Sequence, residues 1–197
     1  MTDLPDLFPP SQLEPCAARR PGHVCPEPEL PQGDPTLLRL AEAELYEPLW
    51  SAGILDELTR NIAERIGDLK AKDLVAAMAG AFPESMVTGH ETLMSVMTND
   101  HKDRHVLAAA IGGHAHAVVT LNLKDFPAAS SDPYGIEVLH PDEFLLDVLD
   151  LAPAATVTVL RRQVAGYQRE PRDLHGLLDR IGAGGAPQFA AEFRRRL

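Results

Sequence analysis

The chain has 197 residues, 45% of them apolar, and a formal net charge of −11. This length suits one α/β domain of ordinary size with a small extension, and the apolar content is enough for a buried core. We expect no membrane span, because no apolar run approaches roughly eighteen residues, and no signal peptide, because prolines and aspartates occupy the N-terminus. An acidic chain does not bind RNA by broad phosphate neutralisation, so RNA binding would need a local basic patch, metal ions or a partner.

The first 35 residues differ in composition from the rest of the chain. They hold nine of the 17 prolines and show neither an apolar run of four residues nor an alternating pattern. We therefore predict an irregular segment without a strand. The abrupt change near residue 35 indicates an artefactual N-terminus, from a shifted reading frame or a wrongly assigned start, or a decayed gene. Cys16 and Cys25 form no CxxC pair, which is typical of incidental thiols in a cytoplasmic protein.

From residue 36 onward, helical and strand patterns alternate. Apolar residues at helical spacing predict helices, and short β-branched or apolar runs predict strands. The predicted helices cover residues 36–45, 51–66, 73–81 and 102–112, and the predicted strands cover residues 46–50, 86–88, 117–121 and 135–139. Strands that alternate with helices predict an α/β domain, over residues 36–140, with a parallel sheet and helices on both faces.

After residue 140 the pattern is helical throughout. Apolar residues recur at helical spacing over residues 142–151, 153–167, 172–181 and 187–197. We predict that residues 141–197 form a helical extension that packs on the α/β domain.

Carboxylates occur near predicted strand ends and helix starts in three places. They are Asp56 with Glu57, Asp100 with Asp103, and Asp125. Ligands of open parallel sheets gather beyond the carboxyl ends of the strands, and carboxylates that converge there need a cation such as Mg²⁺ or Mn²⁺ between them. Such an ion can activate water and stabilise phosphoryl transfer. Each acid could equally be a helix cap that interacts with the helix dipole, and spacing alone leaves both interpretations open.

Four blocks of the sequence resemble the bacterial PIN-domain family, in particular VapC-like toxins with a helical C-terminal extension. The blocks are ILDEL (54–58), NDHKDRHVLAAA (99–110), VVTLNLKDF (118–126) and GIEVLHPDEFL (135–145). The resemblance implies a PIN-like parallel sheet flanked by helices. It also implies a cytoplasmic endoribonuclease toxin that depends on Mg²⁺ or Mn²⁺, with RNA as substrate and a cognate antitoxin as partner. A homodimer is compatible with it.

The resemblance also assigns roles to single residues. By motif, Glu57, Asp103 and Asp125 match the catalytic acids that bind the metal ion. Asp100 matches a nearby assisting ligand. The supporting hydrogen-bonding positions of the turn before Asp125 are Thr120 and Asn122.

One part of the family pattern is absent from this sequence. The family fold begins with a central strand that ends in a catalytic aspartate, which counting back places near Val24. We predict neither the strand nor the aspartate there, and Glu27 and Glu29 stand between prolines. Without that strand its neighbours would lose ladder partners. The alternative is therefore a catalytically inactive or truncated PIN-like protein that only binds an antitoxin-type partner.

A third hypothesis is a metal site made of histidines. His101 and His105 have the spacing of a zinc pair, and His114 and His116 form an HxH pattern. Lys102 stands where an HExxH motif has its glutamate, so that motif is absent. A solvated helix face explains these histidines as well.

Overall fold

A small parallel sheet of four strands lies at the centre of the computed structural model, which describes the main chain of residues 23–26 and all of residues 35–197. The strands are β1 (His23–Pro26), β2 (Glu47–Pro48), β3 (Ala117–Val119) and β4 (Glu137–Leu139). They lie in the order β2-β1-β3-β4, and every pair of neighbours is parallel. The predicted α/β fold with a parallel sheet is confirmed.

The prediction that the first 35 residues contain no strand is wrong. β1 lies inside the sheet, with Val24 opposite Pro48 on one side and Ala117 on the other. A strand between two partners forms ladder hydrogen bonds on both edges, so pairing can impose an extended main chain where the sequence shows no alternation. Pro26, which cannot donate to a ladder, is the last residue of the strand.

Two expectations for the N-terminal segment fall on residues 1–22 and 27–34, which lie outside the described residues. One is the irregular or artefactual nature of the proline-rich stretch. The other concerns the missing catalytic aspartate, since Glu27 and Glu29 are the acids that follow β1 in the sequence. Both stay predictions.

The other strands are shorter than predicted. Residues 46–50 contribute only β2 to the sheet, and Trp50 then forms an isolated parallel bridge with Met86. That bridge replaces the strand predicted at residues 86–88. Most of the described chain is therefore helical, with the sheet as a narrow central layer.

Helices cover both faces of the sheet. They are α1 (Thr36–Glu42), α2 (Ala52–Ile66), α3 (Asp68–Ala81), α4 (Arg104–Gly112), α5 (Ala128–Ser131), α6 (Pro141–Leu151), α7 (Pro153–Ala165), α8 (Leu174–Ala183) and α9 (Pro187–Arg195). The predicted C-terminal helices are confirmed in α6 to α9. Within the described parts of the chain, no helix has both the length and the apolar character needed to cross a membrane.

Two helix starts differ from the prediction for local reasons. α3 begins at Asp68, earlier than predicted, because Gly67 with φ 85° turns the chain directly after α2. α4 begins at Arg104, later than predicted, because residues His101–Asp103 form a 3₁₀ turn before it. This turn matters for the site described below.

The alternation of side chains along β3 divides the core into two clusters, one on each face of the sheet. Ala117 and Val119 belong to a cluster with α1 and the C-terminal helices, which we call the C-terminal cluster. Val118 belongs to a cluster with α2, α3 and α4, which we call the α2–α4 cluster. Three aromatic residues are buried in these clusters, namely Tyr46, Trp50 and Phe126.

Polar contacts fix the C-terminal helices to α1 and to one another. Gln163 of α7 donates a hydrogen bond from Nε2 to the hydroxyl of Thr36 in α1, at 3.1 Å. Asp142 of α6 accepts hydrogen bonds from the main-chain N–H groups of Gln188 and Phe189, at 3.0 and 2.7 Å. The C-terminal helices thus pack on α1 and on one face of the sheet.

Candidate functional site

The chain leaves β3 in a tight turn that leads to Asp125. Thr120 is buried directly after the strand, and its hydroxyl accepts a hydrogen bond from the main-chain N–H of Asn122 at 2.8 Å. The carbonyl of Asn122 accepts in turn from the N–H of Asp125 at 2.9 Å, which closes the 3₁₀ turn Leu123–Asp125. Thr120 and Asn122 therefore shape the turn that carries Asp125.

Asp100 ties this turn to the segment before α4. Its main-chain N–H donates to the carbonyl of Asp125 at 3.0 Å. Its carboxylate accepts from the N–H of Lys102 at 3.1 Å, and its carbonyl accepts from the N–H of Asp103 at 3.1 Å. Asp100 thus acts as the cap of the 3₁₀ turn that holds Asp103.

Asp103 is a buried carboxylate with an unsatisfied oxygen. The residue is 4% exposed, and its Oδ2 has no hydrogen-bond partner among the described residues. Burial raises the pKa of this carboxyl, and the charges of Asp125, Asp100 and Glu57 raise it further, against the lowering effect of Lys102. Because a buried carboxylate oxygen that accepts no hydrogen bond is poorly solvated, this oxygen is suited to a cation.

The ammonium group of Lys102 joins Asp103 to Asp125. Its Nζ lies 3.1 Å from Asp125 Oδ2 and 3.7 Å from Asp103 Oδ2. The hydrogen bond to Asp125, followed by the attraction of Asp103, raises the pKa of Lys102. The structure therefore brings two of the three predicted acids to one point, with a positive charge between them.

The third predicted acid, Glu57, stands beside this pair and faces a histidine. α2 begins with Ser51 as its cap, and Glu57 follows in the second turn of the helix. Glu57 Oε2 lies 3.2 Å from His105 Nε2, while His105 Nδ1 lies 2.9 Å from the carbonyl of Lys102. Both oxygens are acceptors, so both contacts are hydrogen bonds when the imidazole carries two protons.

The donor set fits a hard divalent cation. Carboxylate oxygens are the ligands that Mg²⁺ and Mn²⁺ prefer, and Asp103 offers a buried oxygen that accepts no hydrogen bond from the described residues. Within residues 23–26 and 35–197, however, no three side chains of histidine, cysteine, aspartate or glutamate converge closely enough to hold a metal ion. Asp103 and Asp125 lie together at Lys102, whereas Glu57 contacts His105.

Sequence reasoning missed Lys102 and His105 as parts of this site. In the sequence, Lys102 was noted only because it stands where an HExxH motif has its glutamate. His105 was noted only because it has the spacing of a zinc-binding pair with His101. The available signal was position, since Lys102 directly precedes Asp103 and His105 follows it by two residues. Because both ring nitrogens of His105 face oxygen acceptors, the described residues give the histidine-metal hypothesis no support.

Comparisons with known proteins give two matching family models and one named relative. A family model described as "VapC50 C-terminal domain" matches residues 141–195. A protein of Mycobacterium tuberculosis (strain ATCC 25618 / H37Rv), named "Putative ribonuclease VapC50", is 50% identical over 107 residues. That alignment covers 54% of this chain and 63% of the relative, so the chain spans less than two thirds of the relative's length. No solved structure matches the chain significantly.

A second family model, described as "PIN domain", covers the first part of the fold and most of the candidate site. It matches residues 22–124, which include β1, β3, Glu57 and Asp103, and it ends one residue before Asp125. This range is more than half of the chain. The protein therefore belongs to the PIN-domain family.

Proposed function

We propose that this protein is the endoribonuclease toxin of a toxin–antitoxin pair and cleaves RNA phosphodiester bonds with the help of Mg²⁺ or Mn²⁺. The observation that carries the proposal is the buried carboxylate of Asp103, whose Oδ2 accepts no hydrogen bond from the described residues and shares the ammonium group of Lys102 with Asp125. The relative's name supports it, because that name describes a ribonuclease. The carboxyl end of a central parallel strand is also where open sheets bind their ligands.

Each acid has a distinct part in this proposal. Asp103 and Asp125 would hold the ion, with Glu57 as a third ligand. The bound ion would act as a Lewis acid that activates water and offsets the charge developing on the phosphate. His105 orients Glu57, in the way that outer partners commonly fix metal ligands.

Asp100, Thr120 and Asn122 then act as positioning residues. Their hydrogen bonds are made to the main chain of the two loops that carry Asp103 and Asp125. They fix the separation of the carboxylates before any ion arrives, which lowers the cost of assembling the site.

RNA and an antitoxin protein are the partners that follow from this proposal. The net charge of −11 disfavours broad contact with phosphates, so the ion and local cations must carry RNA binding. An acidic surface also suits a basic segment of an antitoxin. We place the protein in the cytoplasm, where its RNA substrate would be, and include a homodimer in the proposal.

Cleavage of total bacterial RNA by the purified protein tests the proposal directly. We expect cleavage with Mn²⁺ or Mg²⁺, none with EDTA, and a loss of about a hundredfold or more in Asp103→Asn and Asp125→Asn, since even outer partners of metal ligands contribute about 10- to 100-fold. Asp56→Asn is the matched control, because Asp56 is an exposed neighbour of Glu57 on α2. Metal-independent cleavage, or equal loss in the control, would contradict the assignment.

A second candidate is a catalytically inactive PIN-like protein that only binds an antitoxin-type partner. The sequence favours it at one point, because no aspartate occurs between Asp6 and Asp34, on either side of β1. A folded protein that cleaves no RNA with either ion, yet forms a stable complex with a small protein encoded beside it, would establish this alternative.

A further inference from the structure

The ammonium group of Lys102 lies at the carboxylate oxygens that a divalent ion would bind. Its ammonium group contacts the Oδ2 atoms of both Asp103 and Asp125, which are the ligand atoms of the proposed metal site. An ammonium group hydrogen-bonds to carboxylate oxygens at about 2.7–2.9 Å, whereas Mg²⁺ needs the same oxygens at about 2.0–2.1 Å. The two cations also repel each other, so they cannot share these oxygens.

The main chain around Lys102 favours this position of the side chain. Its N–H is bound by the carboxylate of Asp100 at 3.1 Å, and its carbonyl by His105 Nδ1 at 2.9 Å. The first contact caps the 3₁₀ turn, and the second joins that turn to α4. The residue is therefore fixed on two sides, and its long side chain can lie along the turn toward the carboxylates.

The charges explain why a built-in cation is useful there. Asp103 is buried, and the negative charges of Asp125, Asp100 and Glu57 all act on it. Without a positive charge these groups would repel one another and open the two loops. Lys102 neutralises part of this repulsion and keeps the site assembled.

We propose that Lys102 is an internal counter-ion, which holds the Asp103–Asp125 pair together in the free protein and competes with the divalent ion for it. The inference rests on the proposed function, because it takes these two acids as metal ligands. Metal binding then requires the ammonium group to swing away. Since the side chain of Lys102 is 62% exposed, water is available to solvate the displaced charge.

The test is calorimetric titration of the RNA-free protein with Mn²⁺, at constant ionic strength. Ion pairs at exposed positions are weak, so we expect Lys102→Gln to bind Mn²⁺ roughly two- to tenfold more tightly than wild type. Lys102→Arg keeps the positive charge and should stay near wild type. Lys124→Gln is the matched control, because Lys124 is exposed next to Asp125 and makes no ion pair within the described part of the chain.

The possible results separate this inference from the proposed function. Unchanged or weaker binding in Lys102→Gln would overturn the counter-ion role, and so would an equal gain in Lys124→Gln, which would show a long-range charge effect. If wild type and Lys102→Gln both fail to bind Mn²⁺, the metal site itself is wrong and both proposals fall. If Asp103→Asn removes binding while Lys102→Gln strengthens it, both stand.

Discussion

Asp147 lies on α6 between two other carboxylates, Glu143 four residues before it and Asp150 three residues after it. Partial burial raises its pKa above the ordinary value of 3.8, and the charges of these two neighbours raise it further. A raised pKa means that folding favours the protonated acid. The stability gained from protonation is complete below pH 3.8 and is lost as the pH rises through the pKa of the folded protein.

We therefore predict that Asp147→Asn stabilises the protein at pH 7 and has no effect at low pH. Like charges one turn apart on a helix cost about 0.2–0.5 kcal/mol per pair, so a gain of that order in the free energy of unfolding is expected. Urea unfolding between pH 7 and pH 3.5 measures it. Asp73→Asn is the control, because Asp73 is exposed on α3 with Lys70 one turn before it. A gain that persists at the lowest pH would refute the explanation.

For the residues of the candidate site, the sequence predicts which acids come together but not which residues they contact. Asp103 and Asp125 could be predicted because a helix start and a strand end both lead to the same edge of a parallel sheet. The position of Lys102 could not, because it depends on a 3₁₀ turn that separates residues 101–103 from α4. If the helix began at residue 102, the side chain of Lys102 would leave the main chain in a different direction.

Among the elements, β1 shows the limit of prediction from local pattern. Four residues ending in proline carry no alternation of apolar and polar residues, so nothing in HVCP indicates a strand. Its conformation follows from pairing with β2 and β3, which are distant in sequence. Helices such as α2 and α4 were predictable because their apolar spacing is local and repeated.

The attachment of α9 gives a prediction at the level of elements. α9 has no capping side chain of its own, and Asp142 of α6 replaces it by accepting from the N–H groups of Gln188 and Phe189. Asp142→Ala would leave two N–H donors without this partner, and one of them belongs to the buried residue Phe189. We expect the free energy of unfolding to fall by about 1–3 kcal/mol, measured by urea denaturation.

Two further variants identify the cause of that loss. Asp142→Asn keeps one acceptor oxygen and should fall between wild type and alanine. Glu143→Ala removes an exposed acid from the same first turn of α6, so it controls for the effect of charge on the helix dipole. Equal losses in Asp142→Ala and Glu143→Ala would mean that the cap of α9 contributes little.

At the scale of the whole molecule, the sheet couples the two core clusters. β3 sends Ala117 and Val119 into the C-terminal cluster and Val118 into the α2–α4 cluster, and Phe82 packs against both. Although a separate family model matches the C-terminal helices, those helices cover one face of the sheet and pack with α1. A strand shared by both clusters favours a single cooperative unit.

The one tryptophan of the chain makes this coupling measurable. Trp50 is buried in the α2–α4 cluster, whereas Leu160 of α7 is fully buried in the C-terminal cluster on the opposite face. Leu160→Ala should cost about 2–5 kcal/mol, as large-to-small changes in cores do. If the molecule unfolds as one unit, the urea midpoint from Trp50 fluorescence falls by the same amount as the midpoint from far-ultraviolet circular dichroism.

The control is Arg161→Ala, at an exposed neighbouring position on α7, which should leave both midpoints unchanged. A Trp50 transition that stays in place while the helical signal moves would show that the C-terminal helices unfold separately.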